Sequence, residues 1–163
     1  MKLQSADLTT DRQWCAATGF TSAQFAKLLS LFTQSYLELY GQTVAARHAE
    51  LEITPTLTSE EELLFFTLFS LKAGLTFDLL GFVSGMDAAH AKRNQQLGLD
   101  VLQHTLAAAQ CLPRRTFQDA QDFKEYLQND PTIIFDGLEQ RIQRPDENEA
   151  QRDFYSGKKS VTR

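Results

Sequence analysis

The sequence predicts a mainly α-helical protein: a helical bundle that contains a helix-turn-helix, followed by the incomplete start of an α/β domain. Apolar residues recur at spacings of three and four between residues 22 and 40, as on one face of a helix. Polar caps and glycines then mark out three further helices between residues 59 and 111. The run TIIFDG, at residues 132–137, is the one convincing start of a strand, because β-branched and aromatic residues stand between Pro131 and Gly137.

Length and composition fit one domain or slightly more, and they restrict the class of protein. The chain has 163 residues, of which 42% are hydrophobic, enough for a sizeable core. A net charge of −5 argues against bulk non-specific nucleic-acid binding but leaves room for a local basic surface. Neither an apolar signal-peptide core nor an apolar run of about 18 residues is present. We therefore expect a cytoplasmic protein without membrane partners, in which Cys15 and Cys111 are reduced and structural.

The first amphipathic helix is predicted to begin at Thr21 or Ser22, which are suitable N-caps, and to end at Gly41. Its apolar stripe comprises Phe25, Leu28, Leu29, Phe32, Tyr36 and Leu39. The stretch ELEITPTLT at residues 50–58 contains a proline and β-branched residues, and it is predicted to be an extended linker.

The three helices between residues 59 and 111 follow the order of a helix-turn-helix: a supporting helix, a short helix, a tight turn and a longer helix. Their predicted N-caps are Ser59, Thr76 and Asp87, and Gly74 and Gly85 end the first two helices. The third helix is expected to continue as far as Cys111, just before Pro113. Residues 1–113 therefore form the predicted N-terminal helical domain.

The start of the longest helix carries polar side chains of the kind that contact DNA from a recognition helix. They are His90, Lys92, Arg93, Asn94 and Gln95. Amides and cations on such a helix can bind base edges or phosphates in the major groove. The alternative is an ordinary solvated helix face. Asp87 and the small number of cations make this helix electrostatically weak for DNA.

After Pro113 the sequence no longer shows the pattern of long helices. Residues 114–131 are predicted to be a connector with a short amphipathic helix around 117–127, and residues 132–163 hold the strand and a polar loop. Asp136 stands at the C-terminal end of the strand, where open α/β sheets place metal or phosphate chemistry. The alternative is that Asp136 begins a turn, and a single carboxylate binds Mg²⁺ weakly.

A longer motif surrounds this aspartate in the run IIFDGLEQRIQRPDENEAQRDFYSGKK, residues 133–159. It resembles the block around the first catalytic aspartate of insertion-sequence DDE transposases: a strand ending Asp-Gly-Thr-Glu, then Arg-Pro, Gln and Tyr-Ser-Gly-Lys-Lys. The matching residues are Asp136, Gly137, Glu139, Arg144, Pro145, Gln151, Tyr155, Ser156, Gly157, Lys158 and Lys159. The stretches LTSEEELLFFTLFSLKAGLTFDLLGFVSGM and ATGFTSAQFAKLL resemble the helix-turn-helix and the N-terminal helix of the same family, so the resemblance covers residues 16–159.

The resemblance implies an RNase H-like catalytic fold, in which three carboxylates hold two divalent ions, Mg²⁺ or Mn²⁺, for strand cleavage and transfer at transposon ends. By this resemblance Asp136 is the first of the three carboxylates and a metal ligand. Arg144, Lys158 and Lys159 are expected near the DNA backbone because of their charge. The alternative for the two lysines is a solvated tail.

Two departures from the family pattern bear on activity. Leu138 replaces the usual threonine, and SVTR after Lys159 replaces the family's next strand, so the second aspartate and the glutamate have no counterpart. Glu139 and Asp146 cannot replace them, because both follow Asp136 on the same segment. We therefore expect a truncated form without stably bound metal, produced by programmed frameshifting, gene decay or deliberate shortening.

These observations predict a truncated transposase that is limited to binding double-stranded DNA at transposon ends. One alternative is a regulator that inhibits the full-length transposase by occupying ends or by forming mixed oligomers. Another is a folded remnant without function. A lone strand at residues 132–136 would expose unpaired edges, which favours a homodimer or another partner chain.

Overall fold

The computed structural model describes residues 2–50, 55–112, 114 and 116–128. In these ranges the protein is mainly α-helical, as predicted, with seven α-helices, one short 3₁₀ turn (Ser5–Asp7) and no strand. The helices are α1 (Asp11–Thr18), α2 (Ser22–Tyr40), α3 (Val44–Ala49), α4 (Glu60–Ala73), α5 (Phe77–Ser84), α6 (Ala88–Ala108) and α7 (Ala120–Tyr126). The predicted strand and polar loop at residues 132–163 lie outside the described residues.

The chain divides into two compact units, Met1–Arg114 and Arg115–Arg163. Helices α1 to α6 belong to the first unit and α7 belongs to the second. In the second unit the ring of Phe117 packs against Phe123 and Tyr126, with centroids 5.0 and 5.4 Å away. A helix is present where one is predicted around residues 117–127, but it spans Ala120–Tyr126 and begins three residues later, after the N-cap Asp119.

The boundaries of four helices coincide with the predicted capping residues. Thr21 accepts a hydrogen bond from the Gln24 amide, and the Gln24 side chain accepts one in return from the Thr21 N–H at 2.9 Å. This reciprocal arrangement satisfies two donors that the first turn of a helix would otherwise leave unpaired. The side chains of Ser59, Thr76 and Asp87 cap α4, α5 and α6 without the return bond, each accepting from the N–H three residues later.

The predicted end of α6 at Cys111 is wrong by three residues, because a hydrogen-bonded cap closes the helix earlier. Gln110 has a positive φ of 54°, which breaks the helical path. The N–H of Cys111 then reaches back to the carbonyl of Leu106 at 2.9 Å, and α6 ends at Ala108. Such a closure satisfies carbonyls of the last turn that have no partner within the helix.

Helix α4 lies at the centre of the first unit. All its residues from 63 to 68 are buried, and it packs against α1, α2, α6 and the 3₁₀ turn. A helix that is apolar on every side is expected in such a position. Other helices contribute further fully buried side chains: Phe32 and Tyr36 of α2, Val44 of α3, Leu80 of α5, and Val101 and Thr105 of α6.

The N-terminal segment holds the start of α4 and the end of α5 together. The N–H of Leu3 donates to the carbonyl of Val83 at 3.1 Å, and the Lys2 ammonium lies 3.0 Å from the Glu62 carboxylate. Burial disfavours ionisation of Glu62, but hydrogen bonds from Thr58 and Lys2 outweigh this and lower its pKa. The short helix α5 is thus fixed by backbone and side-chain contacts as well as by its own packing.

Candidate nucleic-acid interface

Helices α5 and α6 are joined by a turn of three residues, 85–87, whose hydrogen bonds leave little freedom. Gly85 ends α5 in the left-handed region with φ 72°, and the N–H of Met86 donates to the carbonyl of Gly81 at 2.9 Å. Asp87 then begins α6 by accepting a hydrogen bond from the His90 amide at 2.7 Å. These hydrogen bonds therefore fix the direction of α6 relative to α5 within three residues.

Two glycines allow α6 to pack closely against its neighbours. A Cβ added at Gly81 would lie 2.6 Å from the Met86 carbonyl oxygen, in the backbone of the turn. A Cβ added at Gly98 would overlap the Thr67 hydroxyl of α4 and lie 3.0 Å from Thr67 Cβ. Neither glycine is among the predicted site residues, although a glycine inside a helical pattern is a known sign of close packing.

The five predicted DNA-contacting residues of α6 separate into two groups. His90, Lys92 and Arg93 are exposed on its first two turns. Asn94 and Gln95 are half-buried, and their amides contact other parts of the bundle: Asn94 Nδ2 lies 3.5 Å from the Met86 sulfur, and Gln95 Nε2 donates to the Ser70 hydroxyl at 2.9 Å. In this arrangement Gln95 connects α6 to α4.

His90 is partly engaged by the N-cap of its own helix. Its ring nitrogen Nδ1 contacts the second carboxylate oxygen of Asp87, and both side chains are more than half exposed. The hydrogen bonds from the backbone and the ring of His90 lower the pKa of Asp87, so Asp87 carries its negative charge at neutral pH. This charge opposes DNA phosphates at the N-terminus of α6, where the helix dipole would otherwise attract them.

One exposed amide of α6, that of Gln96, is not among the residues predicted to contact DNA. Helical periodicity places Ala89, Lys92, Arg93 and Gln96 on one side of α6, and all four are exposed. We call this set the outward face of α6. The opposite side carries the buried residues Ala91, Gly98, Val101, Leu102 and Thr105. The available signal was helical spacing, since Gln96 is four residues after Lys92 and three after Arg93.

Helix α2 lies alongside the second half of α6. The ring nitrogen of His104 is 3.9 Å from the carboxylate of Glu38. Burial raises the pKa of Tyr40, at the end of α2, and the negative charge of Asp100 raises it further. Contacts with α2 therefore involve the second half of α6, whereas the outward face lies on the turns before Asp100.

The remaining predicted site residues lie outside the described part of the chain. They are Asp136, Arg144, Lys158 and Lys159. Within residues 2–50, 55–112, 114 and 116–128, no three histidine, cysteine, aspartate or glutamate side chains come together as a metal site would require.

Two further findings concern the class of protein. No helix in the described ranges has both the length and the hydropathy needed to cross a membrane. Comparisons with models of protein families, with curated proteins and with solved structures find no match to this chain.

Proposed function

We propose that this chain is a DNA-binding form of an insertion-sequence DDE transposase, and that residues 59–111 bind duplex DNA at transposon ends in the cytoplasm. The observation that carries the proposal is the exposed pair Lys92 and Arg93, on the first two turns of a helix that a three-residue turn fixes in direction. The sequence resemblance over residues 16–159 supports the choice of family.

The proposed complex places the first half of α6 in the major groove. The groove is about 12 Å wide and admits a helix, and recognition helices contact base edges with their N-terminal residues. Lys92 and Arg93 bind phosphates or guanine edges in this arrangement. α6 has no other lysine or arginine, while Asp87 and Asp100 are acidic, so the affinity is modest and strongly dependent on salt.

The double substitution Lys92→Ala/Arg93→Ala is expected to reduce affinity for duplex DNA about tenfold or more, because two phosphate or base contacts are lost. The slope of log affinity against log salt concentration should fall by about two, one for each cation removed. The measurement is a fluorescence anisotropy titration at several salt concentrations, with duplexes that the unmodified chain selects from a random-sequence library.

A matched control is the double substitution Arg12→Ala/Lys27→Ala. It removes the same charge from exposed positions of α1 and α2 and should leave the affinity and the salt slope close to those of the unmodified chain. Equal losses in the two double variants would show that only net charge matters and would reject α6 as the contact helix.

The catalytic part of the proposal concerns Asp136. In the RNase H-like fold that the resemblance implies, it would be one of three carboxylates around two Mg²⁺ or Mn²⁺ ions, and one carboxylate cannot hold two ions. We therefore expect no nicking of supercoiled plasmid by this chain with either metal. Metal-dependent nicking that Asp136→Ala abolishes would overturn this expectation and would assign a complete active site to the chain or its oligomer.

The compact first unit favours a second role for the same binding activity. It has its own core and carries α6, so it can occupy transposon ends without any catalytic residue. A protein of this kind inhibits a complete transposase of matching specificity by competing for ends or by entering mixed oligomers. Competition in a strand-cleavage assay tests this role. A chain that selects no duplex would instead be the folded remnant without function.

A further inference from the structure

Gln96 and Asp100 form a hydrogen-bonded pair on the exposed side of α6. The amide nitrogen Nε2 of Gln96 donates to Asp100 Oδ1 at 2.8 Å, and both residues are exposed. The neighbouring Gln95 instead donates its amide to Ser70 of α4. Of the two consecutive glutamines, Gln96 is thus the one that faces an approaching partner.

The position of Gln96 on the helix suits contact with a base. It lies one turn beyond Lys92 and Arg93 on the outward face, and about 10 Å along the axis from Ala89 at 1.5 Å per residue. That distance corresponds to about three base-pair steps along a strand at 3.4 Å each. Ala89 has the smallest side chain of the face, so the start of α6 can approach the groove floor closely.

Asp100 fixes the orientation of the Gln96 amide. A carboxylate only accepts hydrogen bonds, so the NH₂ group of Gln96 must be the end that turns towards Asp100. One N–H of that group is used by Asp100, and the second N–H and the carbonyl oxygen remain for a ligand. A donor and an acceptor side by side match the N7 and N6 positions of adenine in the major groove.

We propose that Gln96 reads an adenine in an A·T base pair, and that Asp100 is the positioning residue that holds its amide in the required orientation. This inference rests on the proposed function of α6 and adds the chemistry of one base position. Gln96 adds sequence preference at one base position, whereas contacts of Lys92 and Arg93 with phosphates add affinity without direct sequence information.

The test is a selection from a random duplex library, with bound sequences compared between the unmodified chain and Gln96→Ala. The preference for adenine should fall by about tenfold at one position, as expected for loss of one bidentate contact. The salt slope should stay the same, because Gln96 is uncharged. Gln103→Ala is the matched control: it makes the same substitution at an exposed site of α6 beyond Asp100, and the base preferences should not change.

Two further variants examine the role of Asp100 and the chemistry of position 96. Gln96→Arg should change the preferred base at that position from adenine to guanine, whose O6 and N7 match a guanidinium. Asp100→Asn should weaken the adenine preference without a new one, because an asparagine can meet either end of the Gln96 amide.

Three outcomes distinguish failure of this inference from failure of the proposed function. If Gln96→Ala keeps the base preferences of the unmodified chain while Lys92→Ala/Arg93→Ala weakens binding, the present inference is wrong and the proposed function stands. If the unmodified chain selects no duplex, both are wrong. If Asp100→Asn alone leaves the adenine preference intact, Gln96 reads the base without help from Asp100.

Discussion

Replacement of Gly98 by alanine is expected to lower the free energy of unfolding by about 2–3 kcal/mol, the upper part of the range of about 1–3 kcal/mol that overpacked cores show. The added Cβ would overlap the Thr67 hydroxyl and lie 3.0 and 3.2 Å from Thr67 Cβ and Cγ2. Thr67 is fully buried and donates to the Leu63 carbonyl at 2.7 Å, so it cannot turn aside without losing this bond. The higher helix propensity of alanine, worth about 1 kcal/mol, offsets only part of the cost. Urea denaturation followed by circular dichroism measures the effect.

A double-mutant cycle with Thr67→Ala tests the cause. Removal of the hydroxyl and methyl groups makes room, so Gly98→Ala should cost about 1–2 kcal/mol less in that background. Gly41→Ala is the comparison for backbone strain alone, because its φ is 71° and a Cβ there meets nothing within 4 Å. It should cost about 1 kcal/mol and show no coupling to Thr67. Additive costs for Gly98→Ala and Thr67→Ala would contradict a steric contact between α6 and α4.

Four of the helices could be predicted from local signals. Thr21, Ser59, Thr76 and Asp87 each cap a helix in the structure, because a side-chain oxygen followed by an apolar period specifies a helix start without long-range information. The sequence pattern does not predict the short helices α1 and α3. Thr10 caps α1 in a capping box with Gln13, and this pair was the available signal.

The face of α6 was harder to predict, because three of its five buried positions carry small or polar residues. Ala91, Gly98 and Thr105 all lie on the buried side, and none of them marks an apolar stripe as leucine would. Hydropathy therefore did not show which of the adjacent residues Gln95 and Gln96 faces α4. Packing against Ser70 decides this, and it depends on residues 25 positions away in the chain.

Gly81→Ala is expected to reduce both stability and DNA binding, because the added Cβ would press on the backbone of the turn that orients α6. The nearest atoms are the Met86 carbonyl oxygen at 2.6 Å and the carbonyl carbon of Asp87 at 3.1 Å. Backbone atoms cannot rotate away as a long side chain can, so α5 and the start of α6 must separate. We expect a loss of about 2 kcal/mol in the free energy of unfolding. Affinity for the selected duplexes should fall about tenfold or more among folded molecules, since base contacts depend on the placement of α6.

The comparison with Gly98→Ala separates loss of fold from loss of orientation. Gly98 contacts α4 near the middle of α6, whereas Gly81 contacts the residues that begin it. At a temperature where both variants are fully folded, Gly81→Ala should weaken DNA binding more than Gly98→Ala does, although their unfolding free energies are similar. Equal binding by the two folded variants would mean that the turn at residues 85–87 does not position the contact residues. Lys92 and Arg93 would then bind DNA by charge alone. In that case the selected duplexes should show no adenine preference that depends on Gln96.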